Sequence, residues 1–388
     1  MRKYFCIIVF LSLANGNGLF AEGEALNFWN RYSQQCDSRL DNWWTNHFAK
    51  DTIKPISFIY DVDFSAYFDN REYKKPYQQP QTFLNFRLSP KVGVRIYDRV
   101  GGKHELIAGV RYTQALGGDW KNVQFAPTAY YHFQYKGFHV GMGAIPYENR
   151  LSVLPDWLMY DSLVYMHPNI QGALMSYQSE HGFVELMCDW RGSQTTYRRE
   201  MFRIIANGEY RYKWLRLGGL AHLNHKAGFA APNYETVMDD INASTHIGCD
   251  LTTYTPLDSL AICAGYIFGW QRDRGLDESV FSHGALVEVY ANWWFLGIKN
   301  TLYFGDNLQP MRPRSEMLCL GDPFYQSRLY NRTDLFVYLY RSSFVNMYFS
   351  WNMHYDLHRL QHQQQLIVRF NLDGMKNRNT YLRGLFDK

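Results

Sequence analysis

Four basic residues have spacings that would place them along one polar wall. Arg87, Lys91 and Arg95 are four residues apart, and Arg111 follows in the next apolar segment. Residues an even number apart in an extended strand point to the same face. Rings of such cationic side chains set ion preference in a pore. At about 3.3 Å per residue, Arg87 and Arg95 lie about 26 Å apart, so we expect Arg87, Lys91 and Arg111 at one level and Arg95 below them.

A second group combines residue types that bind metals or act as a general base: His222, His225, Asp239 and Asp240. We expect His222 to face inward, His225 to stand at a loop edge and both aspartates to lie in the following loop. The His-x-x-His spacing puts its members on opposite faces of a strand, which is poor geometry for a single metal ion. The sequence therefore predicts neither a metal nor a cofactor.

Ser282 and His283 are the remaining candidates for a nucleophile and its base. Adjacent residues in a strand point apart, so these two side chains should not meet. The chain also lacks a Gly-x-Ser-x-Gly elbow. We expect a protein that is not an enzyme.

The elements that position these residues are predicted to be long strands. Within 344–372, apolar residues such as Val345, Met347 and Phe349 alternate with polar ones, which is the period of a strand with one apolar face. The run of fourteen residues at 344–357 is long for a soluble domain, whereas a tilted transmembrane strand needs roughly 9–11. Pro90 keeps the alternation of its segment, so we retain one strand there, although a three-residue turn would also preserve it. The pattern predicts about sixteen strands, within fourteen to eighteen, at 58–68, 82–98, 105–115, 123–135, 138–146, 171–178, 182–190, 201–213, 215–224, 245–255, 258–270, 280–293, 296–304, 332–341, 344–357 and 362–372.

The connections between these strands alternate in length. Long ones, such as 147–170 and 305–331, alternate with turns as short as Lys136-Gly137 and Trp294-Phe295. Transmembrane barrels have long extracellular loops on one rim and tight periplasmic turns on the other. The sequence therefore predicts an all-β fold, a transmembrane antiparallel β-barrel.

Composition is consistent with this fold. Aromatic residues make up 17% of the 388 residues, and the mean hydropathy of −0.38 fits a barrel whose strands are apolar on one face only. The net charge of +4 from 40 basic and 36 acidic residues is too balanced to indicate a nucleic-acid partner.

The domain organisation follows from the two ends of the chain. Residues 1–21 have the basic start and apolar segment of a signal peptide. We expect a periplasmic or barrel-mouth segment at 22–54, the barrel at 55–372 and a polar tail at 373–388. An exported chain of amphipathic strands predicts the bacterial outer membrane, with membrane lipid and the barrel-assembly machinery as partners.

Strand number and loop position together resemble the sixteen-stranded outer-membrane porins. In that family the loop between strands five and six folds into the barrel and faces a cluster of arginines. By this resemblance, loop 147–170 would narrow the pore, although its apolar part, 151–166, could instead form an inward-packed helix. Glu148, Asp156 and Asp161 would form the acidic side of the constriction, opposite the basic wall described above. The resemblance also implies a homotrimer.

The predicted function is a porin-like channel for small polar or anionic solutes, with hydrated lumen charges that need no partners. A non-conducting barrel for surface-polysaccharide assembly or adhesion is the alternative. An outer-membrane hydrolase is a third reading, which lacks a recognisable nucleophile in the sequence.

Overall fold

Sixteen strands account for most of the chain in the computed structural model. The structure describes residues 56–74, 76–118, 123–160, 167–228, 237–315, 318–341 and 344–373. The strands are β1 Ile56–Glu72, β2 Gln81–Tyr97, β3 Lys103–Ala115, β4 Gln124–Tyr135, β5 Phe138–Pro146, β6 Asn169–Ser179, β7 Gly182–Gly192, β8 Met201–Tyr212, β9 Leu215–Lys226, β10 Met238–Asp250, β11 Ser259–Asp273, β12 Glu278–Trp293, β13 Leu296–Gly305, β14 Leu329–Arg341, β15 Val345–Tyr355 and β16 Leu360–Asp373.

Each strand pairs with its neighbours in the sequence, and β1 pairs with β16 to close the sheet. All these pairings are antiparallel. The predicted fold class, a transmembrane antiparallel barrel of about sixteen strands, is confirmed. Closure leaves no unpaired sheet edge to face lipid, as a membrane-spanning sheet requires.

The connections at the two rims of the barrel differ in length, as predicted from the sequence. The rim that carries 147–168 and 306–328 is called the long-loop rim below, and the opposite one the short-turn rim. At the short-turn rim Lys136 and Trp294 adopt φ values of 45° and 56°, which lets the chain reverse within two residues. No helix within the described ranges is long and apolar enough to span a membrane.

The barrel wall has an apolar outer face and a polar inner face. On β1, Asp61 and Asp63 point inward and are only 5% and 4% exposed, whereas Phe58 points outward and is 57% exposed. Because the side-chain period of a strand is two, this alternation fixes the register of every strand in the wall.

Most inward charges are buried and paired, so the expectation of hydrated lumen charges is wrong. Arg150 lies 2.7 Å from Glu185, and both side chains are at most 2% exposed. Arg216 lies 3.0 Å from Glu209. The reason is that two long loops enter the lumen and exclude water from the wall.

These two loops, loop 3 (147–168) and loop 7 (306–328), pack against each other. Trp157 of loop 3 and Phe324 of loop 7 belong to one apolar core with inward residues of the wall. The Tyr160 amide donates to the Leu320 carbonyl at 2.8 Å. Burying both loops in the barrel stabilises them, since each buried aromatic or leucine side chain contributes roughly 1.5–3 kcal/mol.

The described part of loop 3 contains a single 3₁₀ turn, Tyr147–Asn149, rather than the alternative inward-packed helix. The predicted signal peptide and the 22–54 segment lie outside the described residues, as does the tail after Asp373.

Candidate functional site

A histidine and an aspartate meet on the outer face of the wall at the long-loop rim. His225 ends β9 and Asp239 begins β10, and the two are directly opposite in the sheet register. His225 Nδ1 lies 2.6 Å from Asp239 Oδ1. Both point outward, because the inward positions of these strand ends belong to Asn224 and Asp240. We call this pair the outer dyad.

The carboxylate of the outer dyad is held on both oxygens. Arg274 Nε donates to Asp239 Oδ2 at 2.7 Å, and this hydrogen bond raises the pKa of Arg274. A carboxylate that accepts at Nδ1 of histidine fixes the tautomer with a lone pair on Nε2. His225 Nε2 makes no hydrogen bond to any residue that the structure describes. The arrangement is therefore that of a general base able to take a proton from water or a hydroxyl group.

The outer dyad lies within a cross-strand row of outward side chains. Its members are opposite one another from β7 to β11: Trp190, Phe202, His225, Asp239 and Arg272. The Trp190 and Phe202 rings stack with centroids 5.4 Å apart, and the Phe202 ring is 5.0 Å from that of His225. Aromatic girdles on transmembrane barrels mark the boundary between hydrocarbon and headgroups. The outer dyad thus lies beside outward aromatic rings at the long-loop rim, where such a boundary is expected.

The sequence brought these residues together only in part. The sequence groups His225 with His222, Asp239 and Asp240. In the structure, His222 and Asp240 point into the lumen. Asp239 and Asp240 belong to β10 and not to the loop in which they were predicted. Their charges interrupt the apolar alternation, which is why the predicted strand begins too late.

Ser282 and His283 point apart, as their adjacency predicts. Ser282 faces the lumen and is 1% exposed, whereas His283 faces outward with Nδ1 2.5 Å from the Tyr266 hydroxyl. Among the residues that the structure describes, no three His, Cys, Asp or Glu side chains are arranged to hold a metal ion.

The predicted basic wall and loop 3 come into contact inside the barrel. Arg111 Nη2 lies 2.7 Å from Glu148 Oε1, and Arg87 Nη1 lies 3.8 Å from the same oxygen. Burial would raise the pKa of Glu148, but Arg111, Arg87 and Lys91 lower it to about 2. The carboxylate is therefore ionised throughout the neutral range.

The other predicted site residues form ion pairs of their own or lie outside the described residues. Lys91 pairs with Asp61 at 2.7 Å, and Arg95 pairs with Glu105 at 2.7 Å nearer the short-turn rim. Asp156 lies 3.0 Å from Arg332 on β14. Asp161 lies outside the described residues. Their role in solute passage stays a prediction.

Comparison with known structures shows a porin-like barrel. Pseudomonas aeruginosa OccK9 (OpdG) has a TM-score of 0.51 and 8% identity, over 81% of this chain and 98% of that chain. OccK2 (OpdF) of the same organism has a TM-score of 0.48 and 10% identity, over 81% and 98%. A triple mutant of the Rhodopseudomonas blastica porin has a TM-score of 0.45 and 11% identity, over 82% and 100%. The resemblance to porins is confirmed for the fold, and a search of curated proteins gave no match.

Family models define the chain more closely. Residues 54–377 match the model described as lipid A 3'-O-deacylase-type, and the chain belongs to this family. The sequence-based expectation that the protein is not an enzyme is wrong, since the family is one of enzymes. That expectation relied on the absence of a Gly-x-Ser-x-Gly motif. A histidine–carboxylate pair formed across two strands has no such local motif.

Proposed function

We propose that the chain hydrolyses an acyl ester of a lipid A-type glycolipid in the outer leaflet of the bacterial outer membrane. The observation that carries the proposal is the outer dyad, a histidine–carboxylate pair at headgroup depth on the lipid-facing wall. Family membership supports the reaction class. A base in this position reaches a substrate that stays in the membrane.

The reaction uses water as the nucleophile. His225 Nε2 takes a proton from a water molecule whose oxygen attacks the acyl carbonyl carbon. The tetrahedral intermediate breaks its bond to the sugar oxygen, which takes the proton back from the imidazolium. The products are a free fatty acid and a sugar hydroxyl group. Asp239 holds the imidazole in the productive tautomer and stabilises its positive charge.

Arg272 gives the site a preference for anionic headgroups. It lies opposite Asp239 in the register, and its Nη2 is 3.3 Å from Asp277, a residue that is largely exposed. A guanidinium group binds a phosphate through two parallel hydrogen bonds. We expect Arg272 to exchange its exposed carboxylate partner for a lipid phosphate when substrate is bound.

The test is release of fatty acid from purified lipid A by the folded protein in detergent micelles. A positioned general base contributes about 10²–10⁴-fold to the rate, so His225→Ala and Asp239→Asn should each lower kcat at least about 100-fold. His283→Ala is the matched control, since His283 is another outward histidine near the same rim. Full activity in His225→Ala would refute the assignment of the base.

Passage of small polar or anionic solutes is the second candidate. It is favoured by the contact of Arg87 and Arg111 with Glu148 between wall and loop 3. Because loops 3 and 7 pack together in the lumen, passage would require their displacement. Conductance in planar bilayers is the test: Arg111→Glu should lower anion preference more than Arg95→Glu. Absence of any conductance in the unmutated protein would exclude this candidate.

A further inference from the structure

A cluster of positive charge lies on the inner face of the wall, beneath loop 3. Arg203 of β8 is 0% exposed, and Arg191 is the extra residue of a bulge in β7, where the register shifts between Trp190 and Gly192. Bulges redirect a side chain and are frequent next to functional sites. Arg191 makes no hydrogen bond or ion pair with any described residue. Arg191 follows Asp189, the register partner of Arg203, by two residues, so both cations lie at the same end of the two neighbouring strands.

Among the described residues, one carboxylate, that of Asp189, faces these two cations, and it already accepts other hydrogen bonds. Asp189 accepts from the Tyr147 hydroxyl at 2.6 Å and from the Gln171 amide at 2.9 Å. Its contact with Arg203 Nη2 is longer, at 3.5 Å. Burial, with Asp189 acting in the same direction, raises the pKa of Tyr147 to about 12 even though Arg203 lowers it, so the phenol adds no negative charge. One positive charge of the pair therefore lacks a counter-charge in the part of the chain that the structure describes.

The unused polar atoms of this cluster are hydrogen-bond donors. Within the described ranges, Nε and Nη1 of Arg203 are buried without a partner, and so is Nε2 of His222, whose register partner Ile205 is two residues from Arg203 on β8. Asn242 Nδ2 lies 3.3 Å from His222 Nδ1, which makes Nδ1 the acceptor and leaves the proton of the neutral ring on Nε2. Buried donors without acceptors are costly and are satisfied in folded proteins by water or a bound group. Buried cations without counter-charges cost still more.

We propose that Arg191, Arg203 and His222 bind a small oxyanion of the phosphate class inside the barrel. Such an anion supplies both the missing negative charge and several acceptor oxygens. His167 lies at the end of loop 3, and partial loss of hydration and the nearby Arg191 lower its pKa, as expected if the cationic cluster lies beneath the long-loop rim. The anion would enter from that rim. The site is on the opposite face of the wall from the outer dyad, and it does not depend on ester hydrolysis.

Titration of the full-length protein with inorganic phosphate in phosphate-free detergent micelles tests this site. Arg191→Gln removes a half-buried side chain without disturbing the apolar core, and Arg203→Lys keeps the buried charge but removes the unpaired guanidinium donors. A charge-assisted hydrogen bond of this kind corresponds to a factor of about 10 or more in affinity, so each variant should weaken phosphate binding at least about 10-fold. Arg99→Gln, at an exposed turn of the short-turn rim, should bind as the unmutated protein does.

A second experiment distinguishes a lipid headgroup from a free anion as the ligand. Micelles doped with phosphorylated lipid A should displace inorganic phosphate if the site takes a headgroup, whereas dephosphorylated lipid A should not. Lack of displacement by either lipid identifies a free anion as the ligand. The proposal fails if the unmutated protein does not bind phosphate at millimolar concentration, or if Arg191→Gln and Arg203→Lys bind it unchanged.

Discussion

Replacing Glu148 by glutamine removes the carboxylate that joins loop 3 to the barrel wall. Arg111 would lose the negative charge 2.7 Å from its Nη2, although the glutamine carbonyl oxygen can still accept a hydrogen bond, and it would keep the Ser89 hydroxyl at 3.3 Å. Arg87 would keep Asp63, also at 3.3 Å. Since Arg111 is 5% exposed, the substitution leaves a buried cation without its nearest counter-charge.

Two independent arguments give similar costs in the free energy of unfolding. A pKa of about 2 for Glu148 in place of its usual 4.5 corresponds to about 3 kcal/mol, at about 1.4 kcal/mol for each factor of ten. Removal of one partner from a buried ion pair costs about 3–5 kcal/mol. We expect Glu148→Gln to lower the free energy of unfolding by about 3 kcal/mol at pH 7.

The sign of the pH dependence follows from the lowered pKa. The folded protein holds the Glu148 proton less tightly than the unfolded chain, so the stabilisation is complete above about pH 4.5 and is lost as pH falls towards about 2. The difference between Glu148→Gln and the unmutated protein should therefore shrink across this window.

Urea unfolding of the refolded barrel in micelles, followed by tryptophan fluorescence at pH 7 and pH 3, measures both effects. Glu72→Gln is the control, because Glu72 is exposed at the same rim and should change stability by less than about 0.5 kcal/mol. A Glu148→Gln variant within about 0.5 kcal/mol of the unmutated protein at pH 7 would refute the reasoning.

Two further predictions concern loop packing and the last strand. Gly321→Ala would place a Cβ 1.9 Å from the Trp157 carbonyl oxygen, so loops 3 and 7 should separate and be cleaved faster by protease. Gly118→Ala is the control: its Cβ would make contacts of 3.5 Å, so the rate of cleavage should not change. Phe370→Asp puts a charge on the lipid face of β16 three residues before the strand ends, where the cost is below the roughly 2–4 kcal/mol of the bilayer midplane, so heat-modifiable gel mobility should show a smaller folded fraction. Deleting 374–388 should leave that mobility unchanged; loss of the barrel on this deletion would contradict the assignment of β16 as the final strand.

The wall of the barrel is predictable from sequence because side-chain alternation is a local property. The run at 344–357 differs from β15, Val345–Tyr355, only at its ends. The decision to keep one strand through Pro90 is confirmed, since β2 runs from Gln81 to Tyr97. The pairs formed between β2 and β3 omit Ser89 and Pro90, so the missing amide hydrogen of proline is accommodated there.

The filled lumen and the outer dyad are not predictable in this way. The contact of Trp157 with Gly321 joins loops far apart in sequence, and no periodicity records it. His225 and Asp239 become partners only through the register of β9 and β10, where a shift of one residue would send one of them into the lumen. Both residues are among the candidates in the sequence, but only as members of a metal or general-base group with His222 and Asp240. Their spacing in the chain does not show that these two form a pair.

The mass of lipid A from cells that express this protein tests the central claim most directly. The unmutated protein should yield lipid A in which one ester-linked acyl chain is replaced by a hydroxyl group. His225→Ala, checked for folding by heat-modifiable mobility, should leave the lipid A mass unchanged. An unchanged mass with the folded unmutated protein, or the same loss of an acyl chain with His225→Ala, would contradict the assignment of the outer dyad as the catalytic base.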